Sequence, residues 1–369
     1  MKEYSRLFFI LAVFVSTYII FTLQLIHVSP TKKPIIKEEG NKTKVKPNEI
    51  AIVMVNELDG NDRYKQAMDT LKCYSAHYGY SFNIINLNSF PKDTINCVYK
   101  DFMFRRHCLL SNFAQKYEKR FKYILFLDGD MGVVNPLHRI EEYLPEGEEE
   151  IIFYDRTFNY EIMAGSYIFK NSLYSRNILN FFADYEYKMP TISNGRDNVA
   201  LQGVFVDLIG NTKYPDEYRR CMGIYKKYKN YEYNMIFVSC MRNILEKLSE
   251  VPKEMGYQYF DGGRIKVLKK MYKKRWARDS WLSHWRFCKD DFVLHAWKAE
   301  ELAKNPAFFI PTFEFNENLC KSSKFLDAWT YNKSAKVSCE EIKKDVNEWV
   351  VGAYNTHLKD LNSSRYLPI

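Results

Sequence analysis

Glycine and proline are scarce in this sequence, 15 and 12 of 369 residues, which excludes a collagen-like or low-complexity chain. No internal repeat is visible, and no two of the eight cysteines stand in the C-x-x-C spacing of a zinc site. A strong excess of one charge is also lacking. Lys and Arg number 54 against 45 Asp and Glu, and the formal +9 is a mild bias toward anionic partners such as phosphates, short of a nucleic-acid-binding surface. What is abundant is aromatic: 28 Tyr and 26 Phe help bring the hydrophobic share to 46%. At about 100–200 residues per domain, that is enough to bury one large core or two smaller ones.

Residues 7–28 carry no formal charge, and a membrane-crossing helix needs about 20 such residues. The run is longer than the apolar region of a signal peptide and lacks a small-residue cleavage site after it, so it reads as an uncleaved anchor behind a short cytoplasmic tail, residues 1–6. The lysines clustered just beyond the span point the other way by the positive-inside rule. All eight cysteines, however, follow the span, as do N-x-[ST] sequons at Asn41, Asn332 and Asn362. An oxidising lumen with some disulfides therefore fits, in the endoplasmic reticulum or Golgi, although the pairing is not readable. Residues 29–48 are charged, proline-bearing and free of aromatics, a stem that cannot bury enough surface to fold.

From residue 49 the pattern changes. "EIAIVMV" reads as a strand buried on both faces, Asp62–Tyr78 as a helix stopped by Gly79, "SFNIINL" as a second strand, Phe102–Lys119 as a helix and "KYILFL" as a third strand. Strands alternating with helices predict an α/β domain, residues 49–300, with a mostly parallel sheet flanked by helices; residues 301–369 are an extension packed on it. In such sheets ligands bind beyond the carboxyl ends of the strands. There "KYILFL" runs into Asp128 and Asp130, whose side chains, two apart in extended chain, would face one point. Paired hard carboxylates suit Mn²⁺ or Mg²⁺; the competing reading is a chance D-x-D in an ordinary turn.

The blocks "HYGYSFNI", "YKDFMFRRHCLLSNFAQKYEKRFKYILFLDGDMGVVNPL", "MAGSYIFKNSLYS" and "DFVLHAWK" resemble a nematode family of single-span proteins of unknown function. That family is itself similar to the retaining α-galactosyl-, xylosyl- and mannosyltransferases of the Golgi. The resemblance implies a GT-A-like (Rossmann-like) fold, a nucleotide-diphosphate sugar as donor, a glycan, lipid or protein hydroxyl as acceptor, and an ion, commonly Mn²⁺, between the diphosphate and Asp128 and Asp130. It further implies that His295 is the third metal ligand and that Lys298 meets the diphosphate. In "NGRDNVALQGVF" it places Asp197 and Asn198 beside the donor sugar, with Asn where relatives often carry Gln.

Other candidates have plainer alternatives. Asn56 ends the first strand, where a base or ribose would dock, and Arg105 and Arg106 offer forked donors to phosphate. Gly165, between Ala164 and Ser166, would admit a sugar ring close to the backbone, or merely form a turn. Asp197 could equally cap its helix, and His284 is a rival ligand to His295. The basic run from Arg264 to Arg278 reads as a solvated face, and Trp276, Trp281 and Trp285 as core or as a sugar-stacking platform. Two other functional classes remain open: an inactive carbohydrate-binding or scaffold protein, and a haloacid-dehalogenase-type phosphatase. The latter's motif wants glycine directly after the second Asp, where Met131 stands here.

Overall fold

A computed structural model describes residues 45–57, 62–87, 96–188, 196–227, 229–305, 317–332 and 334–367. The expected tail, span and most of the stem, with the Asn41 sequon, lie outside the described residues. Among the described residues no helix is long and apolar enough to cross a membrane.

Strand β1 (Ile50–Asn56) is buried along its whole length, and alternation decides what each side chain touches. Ala51, Val53 and Val55 face one core cluster, while Ile50, Ile52 and Met54 face another. Each of the Val, Ile and Met side chains contributes roughly 1.5–3 kcal/mol over leaving it in water. Helix α1 (Lys65–Tyr78) follows and stops at Gly79, whose φ of 80° is the left-handed conformation glycine adopts without cost. Then come β2 (Ser81–Asn86), α2 (Phe102–Lys116), β3 (Tyr123–Leu127), β4 (Met131–Val133), β5 (Ile151–Tyr154) and β6 (Ser166–Lys170). The Asp101 side chain caps α2 by accepting from the Met103 N–H.

Helices α3 (Leu173–Asp184), α4 (Arg196–Ile209), α5 (Pro215–Lys226) and α6 (Tyr231–Leu248) precede strands β7 (Tyr257–Phe260), β8 (Ile265–Leu268), β9 (Ala277–Asp279) and β10 (Val293–His295). Short helices α7 (Ala299–Lys304) and α8 (Glu317–Cys320) lead to α9 (Cys339–Tyr366), which packs along α6. Asn362, the asparagine of the last sequon, is exposed on α9.

The main sheet has seven strands in the order β2-β1-β3-β6-β5-β8-β7. Side chains of α2, α3, α4 and α6 fill the core on one face. Leu71 and Tyr74 of α1, with Trp276 and Val293 from around a second sheet, fill the other. The expected mostly parallel sheet is corrected to an evenly mixed one. β1 runs parallel to β2 and β3, and β5 to β8, but β6 lies antiparallel to both β3 and β5, and β7 to β8. The reason is local: β5 and β6 are joined by a loop without a helix, and a return that short makes an antiparallel pair. The second sheet is three-stranded, β4-β10-β9.

All eight cysteines pair: Cys73–Cys320 joins α1 to α8, Cys97–Cys108 braces α2, Cys221–Cys240 joins α5 to α6, and Cys288–Cys339 fixes the start of α9. Two of the four therefore fasten the chain beyond residue 300 onto the domain before it.

Candidate functional site

The chain leaves the main sheet at Leu127 and enters the small sheet at Met131, and Asp128-Gly129-Asp130 is the corner between them. The sequence reading had an extended segment here. The structure has a turn, closed by the Met131 N–H donating to the Asp128 carbonyl at 3.0 Å, and the turn rather than strand alternation brings both carboxylates to one place. His295 arrives from β10, which pairs antiparallel with β4 so that His295 sits opposite Met131. One ligand atom each from Asp128, Asp130 and His295 lie within 4.8 Å of one another. An ion of Mg²⁺ size holds oxygens at about 2.1 Å, so a small contraction would let one ion touch all three. Two carboxylates and an imidazole fit Mn²⁺ or Mg²⁺ and leave coordination positions open.

The charges around this point alternate. His295 Nε2 lies 3.2 Å from Asp130 Oδ1, and Lys298 Nζ lies 3.5 Å from Asp130 Oδ2. Burial alone would raise the Asp130 carboxyl, but His295 and then Lys298 hold it below the ordinary carboxylate range. Burial would likewise lower the His295 imidazole, yet Asp130 and Asp279 push it up to about 10. Asp279 is the neighbour the sequence reading missed. It ends β9, stands in register with His295 in the parallel β9–β10 pair, and places Oδ1 2.7 Å from His295 Nδ1. Two bonds to main-chain carbonyls fix the corner: the Trp297 N–H donates to the Asp130 carbonyl at 2.8 Å, and the Ser280 hydroxyl donates to the His295 carbonyl at 2.7 Å. Between His295 and Trp297, Ala296 takes φ 79°, a left-handed conformation that costs a non-glycine residue roughly 1–2 kcal/mol and turns the Trp297 ring across Gly132.

Arg106 does not stand ready for phosphate. Its side chain is 5% exposed and forks inward, one terminal nitrogen on Asp128 and the other on Asp197. Burial raises the Asp128 carboxyl against the pull of Arg106. At Asp197 the balance reverses: burial is outweighed by Arg106 and His107, and the carboxyl falls to about 2. His107 is fully buried, with Nδ1 2.8 Å from the Tyr167 hydroxyl, and burial lowers its imidazole to about 4. Asp197 is the second residue of α4 and bonds the Asn198 N–H at 2.8 Å, so it serves the helix start and the buried ion pair together. Asn198 Oδ1 accepts from the Ala164 N–H at 2.9 Å, and Gln202 Oε1 from the Ile162 N–H at 2.9 Å. These two amides clamp α4 to the β5–β6 loop.

Gly165 supplies room, but for Asp128: a Cβ there would lie 2.0 Å from Asp128 Oδ2. Asn56 is buried at the end of β1, its amide turned toward the Met68 sulfur at 3.7 Å. Arg105 is half-buried on α2, one residue from the Arg106 bridge. Lys298 remains 34% exposed, a cation at the mouth of the site. His284 is exposed and belongs to no cluster with the two aspartates.

The run from Arg264 to Arg278 is a solvated face only in part: Arg264, Lys273 and Lys274 are exposed, but other members turn inward. Lys266 is buried against Glu149 at 3.0 Å, Lys270 Nζ donates to the Arg156 carbonyl at 2.6 Å, Arg275 donates to Thr157 Oγ1 at 3.2 Å, and Arg278 pairs with Asp291 at 2.6 Å. Trp276 and Trp285 are core residues, while Trp281 packs edge-on to Trp349 of α9. A cavity of about 560 Å³ lies behind β9 and β10, lined among others by Arg275, Phe292 and Ile342; Asp128, Asp130 and His295 do not border it.

The family model described as "Protein of unknown function, DUF273" matches residues 71–311, which takes in the corner, Asp197, Asp279 and His295. No curated protein matches the chain. Among solved structures, one described as "crystal structure of a glycosyltransferase involved in the glycosylation of the major capsid of PBCV-1" is similar at 13% identity and a TM-score of 0.37, covering 67% of this chain and 92% of that one.

Proposed function

Because the chain belongs to the DUF273 family, whose description assigns no activity, we propose a function from the site: metal-dependent transfer of a sugar from a nucleotide-diphosphate donor to a hydroxyl acceptor. The observation that carries this reading is the convergence of Asp128, Asp130 and His295 at the corner between the two sheets, with Lys298 at its mouth. Mn²⁺ or Mg²⁺ bound there would act as a Lewis acid on the donor's leaving diphosphate. Asp128 and Asp130 would hold the ion through oxygen and His295 through Nε2. Lys298, now on Asp130, would turn to the diphosphate and stabilise the negative charge left as the glycosidic bond breaks. Asn198 would act through the loop that it and Gln202 clamp, setting the wall against which the sugar lies, and Asp197 through the helix start and the Arg106 pair that hold Asn198 and Asp128 in place. Retention of anomeric configuration, an N-terminal anchor over residues 7–28 and a lumenal site in the Golgi or endoplasmic reticulum complete the proposal. They rest on the sequence blocks, the apolar run and the cysteine distribution.

A second reading has its own support. Each carboxylate of the corner already has a cationic partner, Arg106 for Asp128 and His295 with Lys298 for Asp130. A site that neutralises itself in this way would also suit a carbohydrate-binding or scaffold protein that performs no transfer. One experiment separates the two: thermal shift of the purified protein against nucleoside diphosphates and their sugars, with and without Mn²⁺. Stabilisation that needs both partners, lost in Asp130→Ala together with donor hydrolysis, supports the transferase; stabilisation by free sugars alone, indifferent to Mn²⁺ and to Asp130→Ala, supports the binding protein.

A further inference from the structure

We infer that Asp279 is a positioning residue for the ion: it holds the His295 ring with Nδ1 turned inward and Nε2 presented to the Asp128–Asp130 corner. The inference rests on the metal reading above and adds to it a residue that does not itself reach the ion position.

The geometry leaves His295 one orientation. Nδ1–H donates to Asp279 Oδ1 at 2.7 Å, and Nε2, 3.2 Å from Asp130 Oδ1, is the ring nitrogen on the side of the corner, which gives up its own proton when it takes a metal. Asp279 is itself fixed. It is 6% exposed, it closes β9 in register with His295, and Arg156 Nη2 approaches the same oxygen at 3.5 Å. Arg156 is anchored in turn by Glu161 at 3.3 Å, on the loop between β5 and β6. A chain of alternating charge therefore runs Glu161, Arg156, Asp279, His295, Asp130, and every member is at most 17% exposed by side chain. The main chain is held as well, by the bond from Ser280 to the His295 carbonyl. A carboxylate behind a histidine ligand both orients the ring and makes it a better donor, and loss of such a partner weakens metal affinity by roughly 10–100-fold.

The test compares Asp279→Asn and Asp279→Ala with the unaltered protein. Free Mn²⁺ is counted by electron paramagnetic resonance during titration, and the visible absorption of bound Co²⁺ reports ligand geometry. The inference predicts a Kd for Mn²⁺ raised roughly 10–100-fold in Asp279→Ala, a smaller rise in Asp279→Asn, which keeps the acceptor but loses the charge, and a changed Co²⁺ spectrum in both. A merely structural role would lower the melting temperature while leaving the Kd and spectrum of the folded fraction as they were, and that result overturns the inference. If Asp279→Ala does not fold, Asp279→Asn alone decides. Should the unaltered protein bind neither ion, with or without uridine diphosphate, the metal reading falls and takes this one with it; an unaltered protein that binds, beside variants that bind equally, defeats this inference alone.

Discussion

Arg106 and Asp197 form an ion pair removed from water, with side chains 5% and 1% exposed. Removing one partner of such a pair leaves the other as a buried, uncompensated charge, at a cost of about 3–5 kcal/mol. Arg106→Leu should lose that much in urea denaturation, and Arg106→Lys should lose part of it, because one ammonium cannot reach Asp128 and Asp197 in the forked geometry of the guanidinium. Equal stability of Arg106→Lys and the unaltered protein would show that the fork is not needed.

Gly165 is predicted to be intolerant of even one carbon. A methyl group 2.0 Å from Asp128 Oδ2 must push the carboxylate aside. Gly165→Ala should cost roughly 1–3 kcal/mol of stability, as overpacked sites do, and should abolish stabilisation by Mn²⁺ with a nucleoside diphosphate. Retention of that shift in the folded variant would mean that Asp128 is not needed at the ion.

Acid sensitivity should follow His107. Its imidazole is lowered to about 4 by burial, against about 6.5 in an unfolded chain. The folded state therefore resists a proton that the unfolded state accepts. The associated stability is fully present above pH 6.5 and is lost as pH falls toward 4, on the order of 3 kcal/mol in all. His357, stacked on Tyr160 and also lowered to about 4 by burial, acts in the same direction. Unfolding free energies measured between pH 7 and 4 should fall less steeply in His107→Phe, whatever its absolute stability.

The Cys73–Cys320 bridge closes a separation of 247 residues. In the chain-entropy account a loop of that length is worth about 5 kcal/mol. The double variant Cys73→Ala with Cys320→Ala should therefore melt well below the unaltered protein under non-reducing conditions. Loss of the local Cys97–Cys108 bridge, with a separation of only 11, should cost less.

The readable parts of this molecule were those whose signal is local. β1, β2 and β3 announce themselves as short apolar runs, α1 by its period and the glycine after it, and Asp128 and Asp130 by their place at the end of such a run. His295 could be picked out only through the resemblance of its block, because a histidine within three residues of strand has no signature of its own. Asp279 had none at all, since its meaning comes from the pairing of β9 with β10. The basic run misled for the same reason. The partner that lets Lys266 enter the interior, Glu149, lies 117 residues away in the chain, and no window of sequence contains both. Arg106 reads as a phosphate donor because the two acids that claim it, Asp128 and Asp197, lie 22 and 91 residues away.

The corner also bears on the order in which the protein comes together. Asp130 lies far before Asp279 and His295 in the chain, and the three strands that unite them, β4, β9 and β10, have no hairpin among them to form early. Contacts of that range are entropically slow to close. Refolding should thus proceed through a species with β1, β2 and β3 already assembled and the corner unformed, and under the metal-dependent function proposed above the onset of ion retention should coincide with the last kinetic phase.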